Sequence, residues 1–386
     1  MVNAQKWKKW TIGEMISRTK TTIQTGPFGT VLSASEFVDY GIPIISVREI
    51  REGFILITAE TPCITDDTYS RLRKYALSEK DIVFARKGSV ERSALIPIGL
   101  ERYFLGSDGI RIRFDQNIVS PDLMLYLFQS PSTKQFLIQS SYGTTMAGLN
   151  EKILCALEFY LPETIDEQEK IAKVLADIDH LLALTEKLIT KKKAIKQGAM
   201  QELLTGKRRL PGFSGNWQTI SLKKALSVGH GMSQHDVECP TGRYPILATG
   251  GVIGRANRYL WNAPSVLIGR KGTINKPQYM DKPFWSIDTL FYTKINEGYC
   301  PKFLYYVFCR IDWLSYNEAS GVPSLSSKTI ESIEVQVPDY REQCAIAGAL
   351  TDIDTEIEAL EQKSGKYRQV KQGMMQQLLT GKIRLM

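Results

Sequence analysis

The sequence predicts a mixed α and β (α/β, α+β) protein: two globular domains and two long antiparallel coiled-coil helices, arranged as a pseudo-two-fold repeat. Three observations predict it. A stretch in the middle of the chain recurs at its end without a gap. Both copies carry apolar residues at helical spacing. The segments ahead of them carry short β-rich runs between glycine-rich turns.

The repeat is the firmest of the three. Glu167 to Leu210 aligns with Glu342 to Leu385 at a constant offset of 175, with roughly half of the positions identical. Glu167-Gln168 matches Glu342-Gln343, and Asp177-Ile178-Asp179 matches Asp352-Ile353-Asp354. Lys196-Gln197-Gly198 matches Lys371-Gln372-Gly373, and the Leu-Leu-Thr-Gly-Lys of Leu203–Lys207 returns as Leu378–Lys382. Outside these segments the match is fainter. Trp7 and Ile12 align with Trp217 and Leu222, Arg86-Lys87-Gly88 with Arg270-Lys271-Gly272, and Tyr126 and Phe128 with Tyr306 and Phe308. Duplication therefore covers the whole chain, and the globular parts have diverged while the helical parts stayed alike.

In the repeated segments Ile171, Leu175, Ile178 and Leu182, and Ile346, Leu350, Ile353 and Ile357, step by three and four residues. That spacing makes one apolar stripe on a helix. Each helix is expected to run about 35 residues, roughly 50 Å at ~1.5 Å per residue. A narrow stripe on so long a helix calls for a partner helix, and the simplest partner is the other copy, antiparallel. Acidic residues gather at the N-terminal end of the first copy and Lys191 to Lys193, Lys196 and Lys207 to Arg209 at its C-terminal end, as the macrodipole favours. Gly206 and Gly381 are the expected helix stops.

The domain boundaries that follow are 1–160 and 212–337 for the globular domains, and 161–211 and 338–386 for the helical segments. Ile42 to Val47, Asp81 to Ala85 and Ser265 to Gly269 read as strands, and Leu123 to Leu137 and Phe303 to Leu314 as helices. Pro211 to Gly215 reads as the linker between the halves.

Composition narrows the function. The net charge is +8 over 386 residues, with 23% charged and 43% hydrophobic residues, the balance of an ordered protein with a mild preference for polyanions. Residues 1–160 carry 19 Lys/Arg against 17 Asp/Glu, so a nucleic-acid surface has to consist of local patches. No apolar run is long enough to span a membrane, and the N-terminus has no signal-like apolar core. Six cysteines without a CxxC pair suit a reducing cytoplasm. No P-loop, GxGxxG, HExxH or Asn/Asp-Pro-Pro-Tyr motif is present. His230, His235 and Cys239 lack an evident fourth ligand, so no metal and no catalytic residue is expected.

Three kinds of loop are candidates for DNA contact. Arg86, Lys87 and Arg92, with Arg270, Lys271 and Lys276, flank glycines that let a backbone approach closely, and their cations reach phosphates or guanine edges. Tyr142, Thr144 and Thr145, with Ser320 and Ser324, offer hydroxyls for phosphate. Thr25 to Gly29 and His230 to Ser233 form a third, weaker pair, and Arg255 is a further basic candidate. For each, the plainer reading is a surface turn or connecting loop.

Gln201 to Phe213 followed by Trp217, the second Leu-Leu-Thr-Gly-Lys, and a proline within five residues of each Glu-Gln resemble type I restriction–modification specificity subunits. The resemblance covers essentially the whole chain. It implies that each globular domain is a target recognition domain reading one half of a split, asymmetric site in double-stranded DNA. It implies that the helices act as spacer and ruler and dock two methyltransferase (modification) subunits, which restriction subunits join. S-adenosylmethionine, ATP and Mg would belong to those partners, leaving this chain without cofactor or catalysis. The alternatives are a coiled-coil scaffold without DNA readout and a stand-alone DNA-modifying enzyme.

Overall fold

The computed structural model describes residues 7–99, 101–142 and 148–385. Contacts divide the chain into two compact units, Met1–Leu184 with Ser364–Met386, and Thr185–Lys363. The division is interleaved: each unit takes one globular part and a portion of each long helix.

The first unit runs β1 (Trp7–Thr11), α1 (Ile12–Arg18), β2 (Thr22–Thr25), β3 (Ile42–Ile45), β4 (Cys63–Ile64), α2 (Asp66–Arg71), β5 (Ala76–Leu77) and β6 (Ile82–Ala85). It continues through β7 (Ser93–Leu95), β8 (Tyr103–Leu105), β9 (Gly109–Arg113), α3 (Pro121–Phe128), α4 (Pro131–Tyr142), α5 (Glu151–Cys155) and β10 (Glu158–Pro162) into α6 (Ile165–Leu203). Its sheets are ordered β1-β10, β2-β9-β6-β7 and β4-β3-β8-β5. Pairing is antiparallel except β3 with β8, where Ile44 faces Phe104. β6 is buried along its whole length, which is why its four residues are all apolar. The apolar stretch read as one helix from Leu123 to Leu137 is in fact α3 and α4, interrupted at Gln129 and Ser130. Pro131 explains the break, because it cannot donate to the preceding turn and starts a new helix instead.

The second unit contains β11 (Gln218–Ser221), α7 (Leu222–Ala225), β12 (Leu226–Gly229), β13 (Tyr244–Ala248), β14 (Gly251–Ala256), β15 (Ser265–Gly269), β16 (Gln278–Met280) and β17 (Trp285–Ser286). β18 (Leu290–Ile295), α8 (Pro301–Arg310), α9 (Ser327–Ser332), β19 (Glu334–Val337) and α10 (Tyr340–Leu378) follow. The sheets are β11-β19, β12-β18-β15-β16 and β14-β13-β17. Again one pairing is parallel, β13 with β17, where Ile246 faces Trp285. The two units thus share a plan of a two-stranded ribbon, a four-stranded sheet and a sheet with one parallel pair, the last having four strands in the first unit and three in the second.

Both long helices reach 39 residues. Ile171 and Leu175 are fully buried, but they sit in one core with Trp10, Phe128, Phe159, Leu378 and Leu379. Ile346 and Leu350 sit likewise with Leu203, Leu204, Phe303 and Tyr306. The start of each stripe therefore packs on a globular domain and the far end of the other helix together, not on the sister stripe alone. Ile178 and Ile357 are buried, and Leu182 and Ile353 half-buried. Gly206 and Gly381 end the helices at φ +69° and +68°. The positive φ favours glycine, and a Cβ there would lie 3.3 Å from Trp217 and 3.2 Å from Trp7, close enough that the ring would have to give by a few tenths of an ångström.

Candidate nucleic-acid interface

The residues repeated in sequence make the same contacts twice. In the first unit Asp179 accepts a hydrogen bond from Tyr126 Oη at 3.0 Å and pairs with Lys371 at 2.6 Å, the ammonium lying 5.6 Å from the Tyr126 ring centre. In the second, Asp354 does so with Tyr306 at 2.8 Å and Lys196 at 2.5 Å, again with the ammonium 5.6 Å from the ring. Burial, reinforced by the adjacent aspartate, pushes both phenols well above the usual tyrosine range. Arg384 grips Glu167 with two N–H groups at 2.9 and 2.5 Å, and Arg209 grips Glu342 at 2.5 and 2.6 Å. Gln168 Oε1 accepts from Ser120 N at 2.8 Å, as Gln343 Oε1 does from Cys300 N at 2.9 Å. The Lys371–Asp179 and Arg384–Glu167 pairs join α10 and the residues after it to α6 in one unit, and the Lys196–Asp354 and Arg209–Glu342 pairs join α6 and the residues after it to α10 in the other. This sets the helices antiparallel, while the glutamines tie each helix to its globular part.

The Arg-Lys-Gly turns follow β6 and β15 and are anchored alike. Arg86 N donates to Asp108 O at 2.8 Å and Arg86 O accepts from Leu149 N at 2.8 Å; Arg270 N donates to Thr289 O at 2.8 Å and Arg270 O accepts from Leu325 N at 3.0 Å. The second of each pair of bonds ties the turn to the loop before α5 or α9. The third kind of loop arrives at the same place. Arg86 lies over the exposed Phe28 ring at 5.4 Å, and His230 lines one cleft of about 330 Å³ with Arg270, Lys271 and Ser324 to Ser327. At Gly26 a Cβ would meet Gly106 O at 1.8 Å, and at Gly231 it would meet Ile287 O at 1.8 Å. The three kinds of loop expected from the sequence thus converge on one cationic surface in the second unit, and at least two of them do in the first.

Lys87 is exposed and pairs with Asp108 at 3.0 Å. Lys271 and Lys276 are exposed, with no ion pair among the described residues. Ser320 is exposed; the Ser324 N–H donates to Asn317 Oδ1 at 2.9 Å. Thr144, Thr145 and the Tyr142 side chain lie outside the described residues. Arg255 stands apart from the turns, on β14. Arg92 is half-buried and lines a cleft of about 500 Å³ with Arg48, Arg51, Thr58 and Glu60. Arg48 and Arg51 were not singled out by sequence, because they belong to no motif repeated in the other half. One signal was available for the second unit: from Thr241 to Met280 the chain has four arginines, two lysines and no acidic residue. Among the described residues no group of three His, Cys, Asp or Glu is placed to hold a metal, and His230, His235 and Cys239 form none.

Two divergent α/β heads, each with matched basic loops, on helices whose contacts are conserved in duplicate define a class: a duplicated specificity module. The chain belongs to the family of type I restriction modification DNA specificity domains, whose model matches residues 5–194 and again 215–367. It is 25% identical over 440 residues to the type I restriction enzyme MjaVIII specificity subunit of Methanocaldococcus jannaschii, covering 99% of this chain and 94% of that one. It is 26% identical over 383 residues to the putative MjaX specificity subunit of the same organism, covering 89% and 88%. The fold matches the crystal structure of a type I restriction–modification S subunit from M. genitalium with TM-score 0.68, 16% identity and 98% coverage of both chains. Specificity, not catalysis, is what this family supplies.

Proposed function

We propose that this chain chooses the DNA sequence on which a type I restriction–modification complex acts. Each unit reads one half of a bipartite, asymmetric site through its loop surface, and the long helices set the unread gap between the halves. The duplicated helix contacts give the two units equivalent frames, and two methyltransferase subunits dock at equivalent places on them, which restriction subunits then join. S-adenosylmethionine, ATP and Mg act on those partners; this chain contributes sequence choice. Among the described residues no helix is long and apolar enough to cross a membrane, and all six cysteines are unpaired, in keeping with work on cytoplasmic DNA.

One observation carries the reading. The Asp–Tyr–Lys and Glu–Arg contacts are kept residue for residue in both units, while the loops above them differ. Like internal contacts build the same frame in each unit, which suits identical partners, and unlike loops suit two different half-sites. The test is methylome mapping of a host carrying the methyltransferase subunits with and without this chain. A split motif that appears only with the chain is expected, and replacing residues 1–160 by a relative's domain should change one half of it. Methylation at the same motif without the chain refutes the proposal.

A further inference from the structure

We propose that the base-reading element of each unit is the connection that leaves its parallel-paired strand. That is residues 46–62 in the first unit and the β13–β14 ribbon in the second, with duplex DNA as the ligand. The inference rests on the DNA-reading function proposed above and names the residues that perform it.

Both elements begin where the chain leaves the parallel-paired strand, in the first unit as the loop between β3 and β4 and in the second as the turn after β13 together with β14. β3 pairs in parallel with β8 and antiparallel with β4; β13 pairs in parallel with β17 and antiparallel with β14. Both connections form ribbons. In the first unit Leu56 N donates to Glu49 O at 2.8 Å, Ile50 bridges Ile55, and Arg51 N donates to Phe54 O at 3.0 Å around Gly53 at φ +90°. In the second, β13 and β14 turn at Thr249-Gly250, and Gln278 Nε2 holds the turn by donating to Ala248 O at 2.9 Å.

Both ribbons hold apolar side chains out into water beside arginines. Phe54 is 55% exposed, and Val252 and Ile253 are 65% and 52% exposed at the bulge of the second ribbon. Arg48 and Arg51 flank the first; Arg243, Arg255 and Arg258 flank the second, and none of the five makes an ion pair among the described residues. Near the first, Glu49 and Glu60 both line the cleft, the Glu49 carboxylate accepting from Ser46 N at 3.0 Å, while Glu52 pairs with Lys134. Near the second, the Glu238 carboxylate flanks Gly254.

A two-stranded ribbon fits the major groove, where apolar side chains meet thymine methyl groups, arginine meets guanine, and a carboxylate accepts from cytosine. A protein partner common to both units would select like surfaces, as the helix contacts are alike. These two surfaces share position and chemistry but not sequence, which fits a ligand that differs between the halves.

The test uses the full chain co-produced with its methyltransferase subunits in a host without adenine methylation, with methylated motifs mapped genome-wide. V252S/I253S/R255A should relax positions in one half of the motif only, and R48A/R51A/F54S positions in the other half only. Each lost base contact should lower discrimination about 5- to 150-fold. Both variants leaving the motif unchanged, or both relaxing the same half, overturns the inference. Should a triple variant lose methylation altogether, the single changes I253S and R51A decide: an unaltered motif from both overturns it. A wild-type chain that directs no split motif refutes the function proposed above, and the ribbons with it.

Discussion

Leu175→Ala tests the interleaved architecture most directly. Leu175 is fully buried in the core that joins the first globular part to Leu378 and Leu379 at the end of α10. Removing its isobutyl group leaves a cavity among well-packed neighbours and should cost about 2–5 kcal/mol. If Met1–Leu184 and Ser364–Met386 are one cooperative body, that loss lowers the opening free energy of both segments together. Amide exchange protection should then fall roughly 30- to 5,000-fold, at tenfold for each ~1.4 kcal/mol. The assay is hydrogen–deuterium exchange with peptides from either side of Ser364. Peptides from 364–385 should lose protection along with those from β6 and β9, while peptides from 340–363 keep theirs, although all lie on or beside one continuous helix. A uniform loss along α10, or protection retained in 364–385 while residues 7–184 loosen, would refute the reasoning. Leu350→Ala is the mirror experiment and should loosen 185–203 together with β15 and β18.

Gly206→Ala should lower the melting temperature of the second unit by about 2–8 °C, because a φ of +69° and a ring 3.3 Å away together cost about 1–2 kcal/mol; differential scanning calorimetry measures it. Lys271→Ala should reduce the slope of log affinity against log salt by about one while leaving the recognised sequence unchanged; an altered sequence would show that Lys271 reads a base. Burial, and then the hydrogen bond to Glu101, pushes the Tyr103 phenol up to about 12, above its unfolded value of 10.0. The folded chain therefore keeps a proton that the unfolded chain has released. Stability from this group is complete below pH 10 and declines as pH rises to about 12. Tyr103→Phe should flatten that part of the melting temperature against pH curve relative to the parent chain, and curves that stay parallel contradict the assignment.

The long helices were legible in the sequence because their signal is local and periodic. Stripe, charge order and glycine stop all lie within one segment and all point the same way, and the repeat confirms each by a second copy. The Arg-Lys-Gly turns were legible for the same reason: glycine marks a turn wherever it stands. Arg48, Arg51, Val252 and Ile253 were not. An arginine in a loop or an exposed valine in a strand looks like any other in the sequence, and its place depends on which strand precedes it and what that strand pairs with. Pro131 was the opposite case, a local signal that breaks one apolar stretch into α3 and α4.

The sequence by itself determined that the molecule is duplicated, that its helices are long and amphipathic, and that its two heads differ. Those are statements about order and period along one chain. The tertiary structure decided which parts belong together. The last residues of the chain complete the first unit through Arg384 and Glu167, and Arg209 with Glu342 does the same for the second. Separation in sequence, 217 and 133 residues, leaves no periodic trace of such pairs. Only the burial of a carboxylate against a guanidinium, when antiparallel helices bring them within 3 Å, selects them.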